Sequence, residues 1–160
     1  MSSNTFATIS ANGGTADVIF MHGLSGDPVD TWTSTGATEP EGAYWPHWLA
    51  ADIPHLNLYT LGFTASVFAQ WAKKKMNLYD RAKKFLEKLA SYEFGARPMI
   101  FVCHSLGGLL VKQILRTAKE STDEDWRRVG ESCLTRQNRS LIFEMSENDI
   151  VFGRIQRAVK

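Results

Sequence analysis

Histidine is scarce in this chain: His22, His47, His55 and His104 are the only four among 160 residues, and none follows His104. Cysteine is scarcer. Cys103 and Cys133 stand in no CxxC or other metal-ligand spacing, so the pattern gives no metal site. Two lone thiols point, weakly, to a reducing compartment. Charge of one sign is also missing. The formal net charge is +1, which leaves no bulk electrostatic case for binding nucleic acid or an anionic membrane. The short run Lys73-Lys74-Lys75 reads as a solvated stretch ahead of a helix. No apolar run approaches the ~20 residues needed to span a bilayer. Met1 to Ala16 is polar and small, without the basic and apolar regions of a signal peptide. There is no internal repeat and no low-complexity segment. The expectation is a soluble, cytoplasmic protein.

What is present is ordinary for a globular domain: 44% hydrophobic and 22% charged residues, in a chain long enough to bury a sizeable core. Val18-Ile19-Phe20-Met21 is a short β-prone apolar run between Gly13-Gly14 and His22-Gly23, and reads as a buried parallel strand. Leu24 to Gly42 is loop-like. Tyr44 to Ala51 reads as a short helix with Trp45, Trp48 and Leu49 on one side, ended by Pro54. A strand is expected over Leu56 to Leu61. Asn77 caps a predicted helix to about Tyr92, with Leu78, Ala82, Phe85, Leu86 and Leu89 on its apolar face. Met99 to Cys103 is a second buried strand, and Gly107 to about Lys119 a helix that turns Leu110, Val111, Ile114, Leu115 and Ala118 inward. This alternation predicts an α/β fold, an open parallel sheet with helices on both faces. The expected organisation is a flexible N-terminus over 1–15, a core over 16–130 and a divergent segment over 131–160.

In such sheets the functional groups gather at the carboxyl ends of strands. Two of those ends carry His22-Gly23 and His104-Ser105. His104-Ser105-Leu106-Gly107-Gly108 follows a predicted strand and opens a predicted helix. This is the context of the G-x-S-x-G turn, in which a serine is forced into a strained backbone conformation with its hydroxyl pushed out of the sheet. Small residues are needed two before and two after, because strand and helix pass closely there. Here they are Cys103, in place of glycine, and Gly107. The bland alternative is a serine-capped helix start followed by glycines for packing; the flanking strand and helix favour the nucleophile position for Ser105. Backbone N–H groups of Leu24 and Leu106 are the expected oxyanion donors. Two such preorganised donors contribute ~3 kcal/mol or more to the barrier. His22 reads as a hydrogen bonder that orients its loop. His104, adjacent to the serine, projects in a different direction. His47 and His55 read as surface or packing residues. Trp32, Tyr44, Trp45 and Trp48 either pack the core around the first helix or line an acyl pocket.

The sequence resembles the α/β-hydrolases of the DUF676 and serine-active-site-containing (SERAC-like) type. The resemblance rests on Val18 to Pro28, Thr31-Trp32, Trp45 to Leu49, Asp52-Ile53-Pro54, Leu61-Gly62-Phe63, Arg97 to Leu109 and Val111-Lys112, and covers Ala16 to about Gly130. It implies esterase or lipase-like activity on small-molecule or lipid esters, Ser105 as the nucleophile, and neither metal nor organic cofactor.

From about Glu131 the family pattern fades. Leu141-Ile142-Phe143 reads as a next strand, but the triad order Ser, acid, His finds no histidine after Ser105. An unassisted serine hydroxyl is a weak nucleophile. Asp149 then has no histidine to orient and reads as a solvated turn residue. Three explanations are open, in this order: a truncated or altered hydrolase, a non-catalytic interaction or signalling module on the same fold, or a replacement base such as His22. A sheet cut short exposes an edge and an apolar flank, which predicts association with another copy, association with another chain, or poor solubility.

Overall fold

The computed structural model describes residues 4–23, 26–33, 44–63, 69, 73, 77–133, 135–136, 139–140 and 142–145. Leu24, Lys74-Lys75, Leu141 and Asp149, each singled out above, lie outside the described residues. The elements are β1 (Asn4–Ser10), β2 (Ala16–Met21), a single 3-10 turn (Asp30–Trp32), α1 (Trp45–Asp52), β3 (Leu56–Phe63), α2 (Leu78–Ser91), β4 (Met99–His104), α3 (Leu106–Glu120), α4 (Glu124–Ser132), β5 (Thr135–Arg136), β6 (Arg139–Ser140) and β7 (Ile142–Met145). Five strands form one sheet in the order β1-β3-β2-β4-β7, and β5 pairs with β6 separately. β3, β2, β4 and β7 are parallel, whereas β1 runs antiparallel to β3.

The inner strands are buried on both faces, which explains their continuous apolar runs. Ile19, Met21, Leu61, Met99, Phe101 and Cys103 face α2, α3 and α4; Val18, Phe20, Leu58, Ile100 and Val102 face Trp32 and Leu49 on the other side. The alternation along each strand sorts the core into two layers. α2 begins as its sequence predicts, with the Asn77 side chain accepting a hydrogen bond from the Asp80 N–H at 2.9 Å. The core face of α1 is narrower than expected. Pro46 and Leu49 are buried, but Trp48 is 48% exposed.

Asn4–Ser10, expected within a flexible N-terminus, is a strand. Asn4–Ser10 pairs along β3, and the Phe6 ring packs on Tyr59, Tyr92 and Phe94 at centroid distances of 5.4, 4.4 and 5.6 Å. The strand is mixed in polarity because, among the described residues, it has a strand on one side only. The sheet likewise reaches past residue 130, where β7 pairs with β4 from Phe101↔Ile142 to His104↔Met145.

A polar clamp ties the amino ends of the strands. The buried Asp17 carboxylate accepts from Asn57 Nδ2 at 2.8 Å and from Arg97 Nε at 3.1 Å. Asn57 Oδ1 in turn accepts from the Gly14 N–H at 2.8 Å. Burying Asp17 and Asn57 is tolerable because each is paired.

Candidate active site

The chain leaves β2 for β3 on one side of the sheet and leaves β4 for β7 on the other. Between the carboxyl ends of β2 and β4 the connections diverge, and a crevice at this switch point is where open α/β sheets place ligands. His22-Gly23 leaves β2 there, and Ser105 leaves β4 there.

Ser105 links β4 to α3 with φ 53° and ψ −126°. That conformation is sparsely populated for a residue with a Cβ, and holding it costs of order 1–3 kcal/mol. The side chain makes no capping hydrogen bond and the residue is exposed. The serine is therefore not the helix cap of the bland reading. It is held in strain with its side chain presented to solvent. The glycine after it is fixed by contact: a Cβ on Gly107 would lie 2.6 Å from the Met21 carbonyl oxygen and 2.7 Å from that of His22. The first turn of α3 thus rides on the end of β2. Two residues before Ser105, Cys103 is fully buried between β2 and β7, opposite Met21 and Glu144.

The loop after β2 touches the serine turn. A Cβ on Gly23 would sit 3.0 Å from Ser105 Cβ and 3.1 Å from the His104 carbonyl oxygen. Leu106 occupies the first position of α3, where its N–H has no helical carbonyl behind it and the helix dipole favours negative charge.

His22 is 2% exposed, and its Nδ1 lies 2.8 Å from the Gly23 carbonyl oxygen. A carbonyl only accepts, so Nδ1 carries the proton and donates. The rest of the ring is turned toward β3. It lies 5.2 Å from the Phe63 ring, and a Cβ on Gly62 would collide with its Nε2 and Cδ2. Gly26 closes the slot, since a Cβ there would come within 3.0 Å of Nδ1. β3 and β4 flank β2 on opposite sides, so Nε2 is turned toward the strand away from β4. The slot residues Gly26, Gly62 and Phe63 had no chemical signal of their own in the sequence. A glycine inside a β-prone run such as Leu56 to Phe63 does mark a close approach, and that is what Gly62 provides.

The other histidines are placed as follows. His104 is half-buried, and a Cβ on Gly23 would lie 3.5 Å from its Nδ1. His55 is exposed before β3, at the opposite end of the sheet from Ser105. His47 is exposed on α1, with its ring edge-on to Tyr44 at 4.9 Å. Of the aromatic group, Trp32 and Trp45 pack on Phe20 at 5.3 and 5.1 Å, so they fill the core beneath the loop. Tyr44 is pushed up to about 12 by burial and by the nearby Asp27 carboxylate. Among the described residues no group of three or more His, Cys, Asp or Glu side chains gathers as a metal site. Among them, too, no helix is long and apolar enough to cross a membrane.

A strained, exposed serine between a parallel strand and a helix, at the switch point and against the neighbouring loop, defines an α/β-hydrolase-like domain. No family model matches the chain. It is similar to Protein SERAC1 of Danio rerio, 35% identical over 126 residues, which cover 68% of this chain and 19% of that protein. With Protein SERAC1 of Homo sapiens it is 34% identical over 118 residues, covering 64% and 18%. The chain thus spans less than a fifth of the length of these relatives. Among solved structures, the NocB thioesterase domain from the nocardicin cluster aligns with a TM-score of 0.47 and 18% identity, over 74% of this chain and 46% of that one.

Proposed function

We propose that this chain carries the nucleophile of a serine carboxylic-ester hydrolase, esterase- or lipase-like, acting through an acyl–Ser105 intermediate. The observation that carries the reading is the exposed Ser105 at φ 53°, ψ −126° on the β4–α3 turn. Ser105 Oγ attacks the ester carbonyl, and the developing oxyanion takes hydrogen bonds from the Leu106 and Leu24 N–H groups. The alcohol leaves with a proton, and water then hydrolyses the acyl-serine. His22 holds the donor loop through its bond to the Gly23 carbonyl and does not itself touch the reacting atoms. The substrate is a small-molecule or lipid ester, and the reaction needs no metal or organic cofactor.

The second reading is a non-catalytic interaction or signalling module. The positions of His22 and His55 favour it, since the first turns its Nε2 toward Gly62 of β3 and the second lies at the opposite end of the sheet, and the base is what activates a serine. Labelling with a fluorophosphonate probe, with Ser105→Ala as control, separates the two. Labelling abolished in Ser105→Ala establishes a reactive serine, and ester turnover that rises on adding imidazole, above the Ser105→Ala background, identifies the base as what the chain lacks. Folded protein that resists the probe, with and without imidazole, refutes the hydrolase reading and leaves the module.

A further inference from the structure

We infer that the outer edge of β1 is a self-association surface. On it two copies of this chain pair antiparallel about a two-fold axis through Ala7, joining two five-stranded sheets into one. β1 ends the strand order, with β3 on one side and, among the described residues, no strand on the other. Edge strands of natural sheets are guarded by charge, proline or a covering element. Asn4-Thr5-Phe6-Ala7-Thr8-Ile9-Ser10 has neither charge nor proline, and Ala7 and Thr8 are exposed. The strand is already ordered by the stacking of Phe6 on Tyr59 and Tyr92, so pairing need not first order it.

The sequence is suited to meeting its own copy. With Ala7 opposite Ala7, Phe6 faces Thr8 on both sides of the axis, an aromatic with a β-branched residue, one of the cross-strand pairs that stabilise a sheet. An isologous contact requires this kind of self-complementarity. The register irregularity between Thr8 and Ser10 keeps the paired stretch short and the dimer weak. The other edge strand is less suited: β7 has four described residues and includes Glu144. Two strands separate β1 from β4, so the dimer leaves both Ser105 crevices open.

The axis through Ala7 makes the test specific. Sedimentation equilibrium of the 160-residue chain across a concentration series should show mass rising from 18.0 kDa toward twice that value. Ala7→Lys and Ala7→Glu each place like charges opposite one another and should each remain monomeric. Mixed in equal amounts they should form the dimer again. Concentration-dependent slowing of amide exchange within Asn4–Ser10 of the unaltered chain reads the same contact without a substitution. A chain that stays monomeric at every concentration overturns the proposal. So does association that survives Ala7→Lys, a mixture that fails to pair, or exchange in β1 that ignores concentration.

Discussion

Replacing Ser105 separates backbone strain from capping. At an ordinary helix start, serine is the best of the three small residues; alanine costs about 1 kcal/mol and glycine a few tenths. Ser105 departs from this because its side chain makes no capping bond and its φ is 53°. Ser105→Ala removes an exposed hydroxyl and keeps the strained backbone, so its stability should match the parent within about 0.5 kcal/mol. Ser105→Gly relieves a strain of about 1–3 kcal/mol and adds back roughly 0.5–1 kcal/mol of chain entropy. The net expectation is a gain of about 1 kcal/mol over both the parent and Ser105→Ala. For a chain of this size that raises Tm by about 3 °C. Urea unfolding of the three proteins, followed by circular dichroism at equal m, measures the order directly. Finding the parent the most stable of the three would refute the reasoning, since that is the order of a serine acting as a plain N-cap.

Two further changes test the surroundings of the turn. Gly107→Ala sets a methyl group against the Met21 and His22 carbonyl oxygens and should cost about 2 kcal/mol or more; urea unfolding indistinguishable from the parent would show that α3 is free to move off β2. Tyr44 holds its proton more tightly in the folded chain, at about 12 against an ordinary 10.0, through burial first and Asp27 second. The folded state therefore binds more protons between those values, and the stability this contributes is complete below pH 10 and lost as pH rises toward 12. Tyr44→Phe should flatten that alkaline loss, which unfolding midpoints measured from pH 9 to 12 will show.

The inner strands were legible because burial on both faces leaves an unbroken apolar run, as in Val18 to Met21 and Met99 to Cys103. α2 was legible because its period and its Asn77 cap agree. The serine turn was legible from small residues at fixed spacing. β1 was not, since Thr5, Thr8 and Ser10 break its apolar pattern and its partner β3 lies some fifty residues away. α4 escaped notice although Asp123 caps it by accepting from the N–H groups of Asp125 and Trp126; a short charged helix buries little beyond Val129 and Gly130 and so has a faint apolar stripe. The orientation of His22 was beyond the sequence altogether. It is decided by empty space at Gly62 on another strand, and local sequence records which residue is small, not what leans into the gap.

The clamp of Asp17, Asn57 and Arg97 makes the two ends of the sheet chemically unlike. At the amino ends the joins are polar: a buried carboxylate, an amide and an exposed guanidinium. At the carboxyl ends they are close backbone approaches, Gly107 on the Met21 and His22 carbonyls and Gly23 on the serine turn. Substitutions at the clamp therefore weaken the sheet at the end away from Ser105, and substitutions at Gly23 or Gly107 weaken it at the serine.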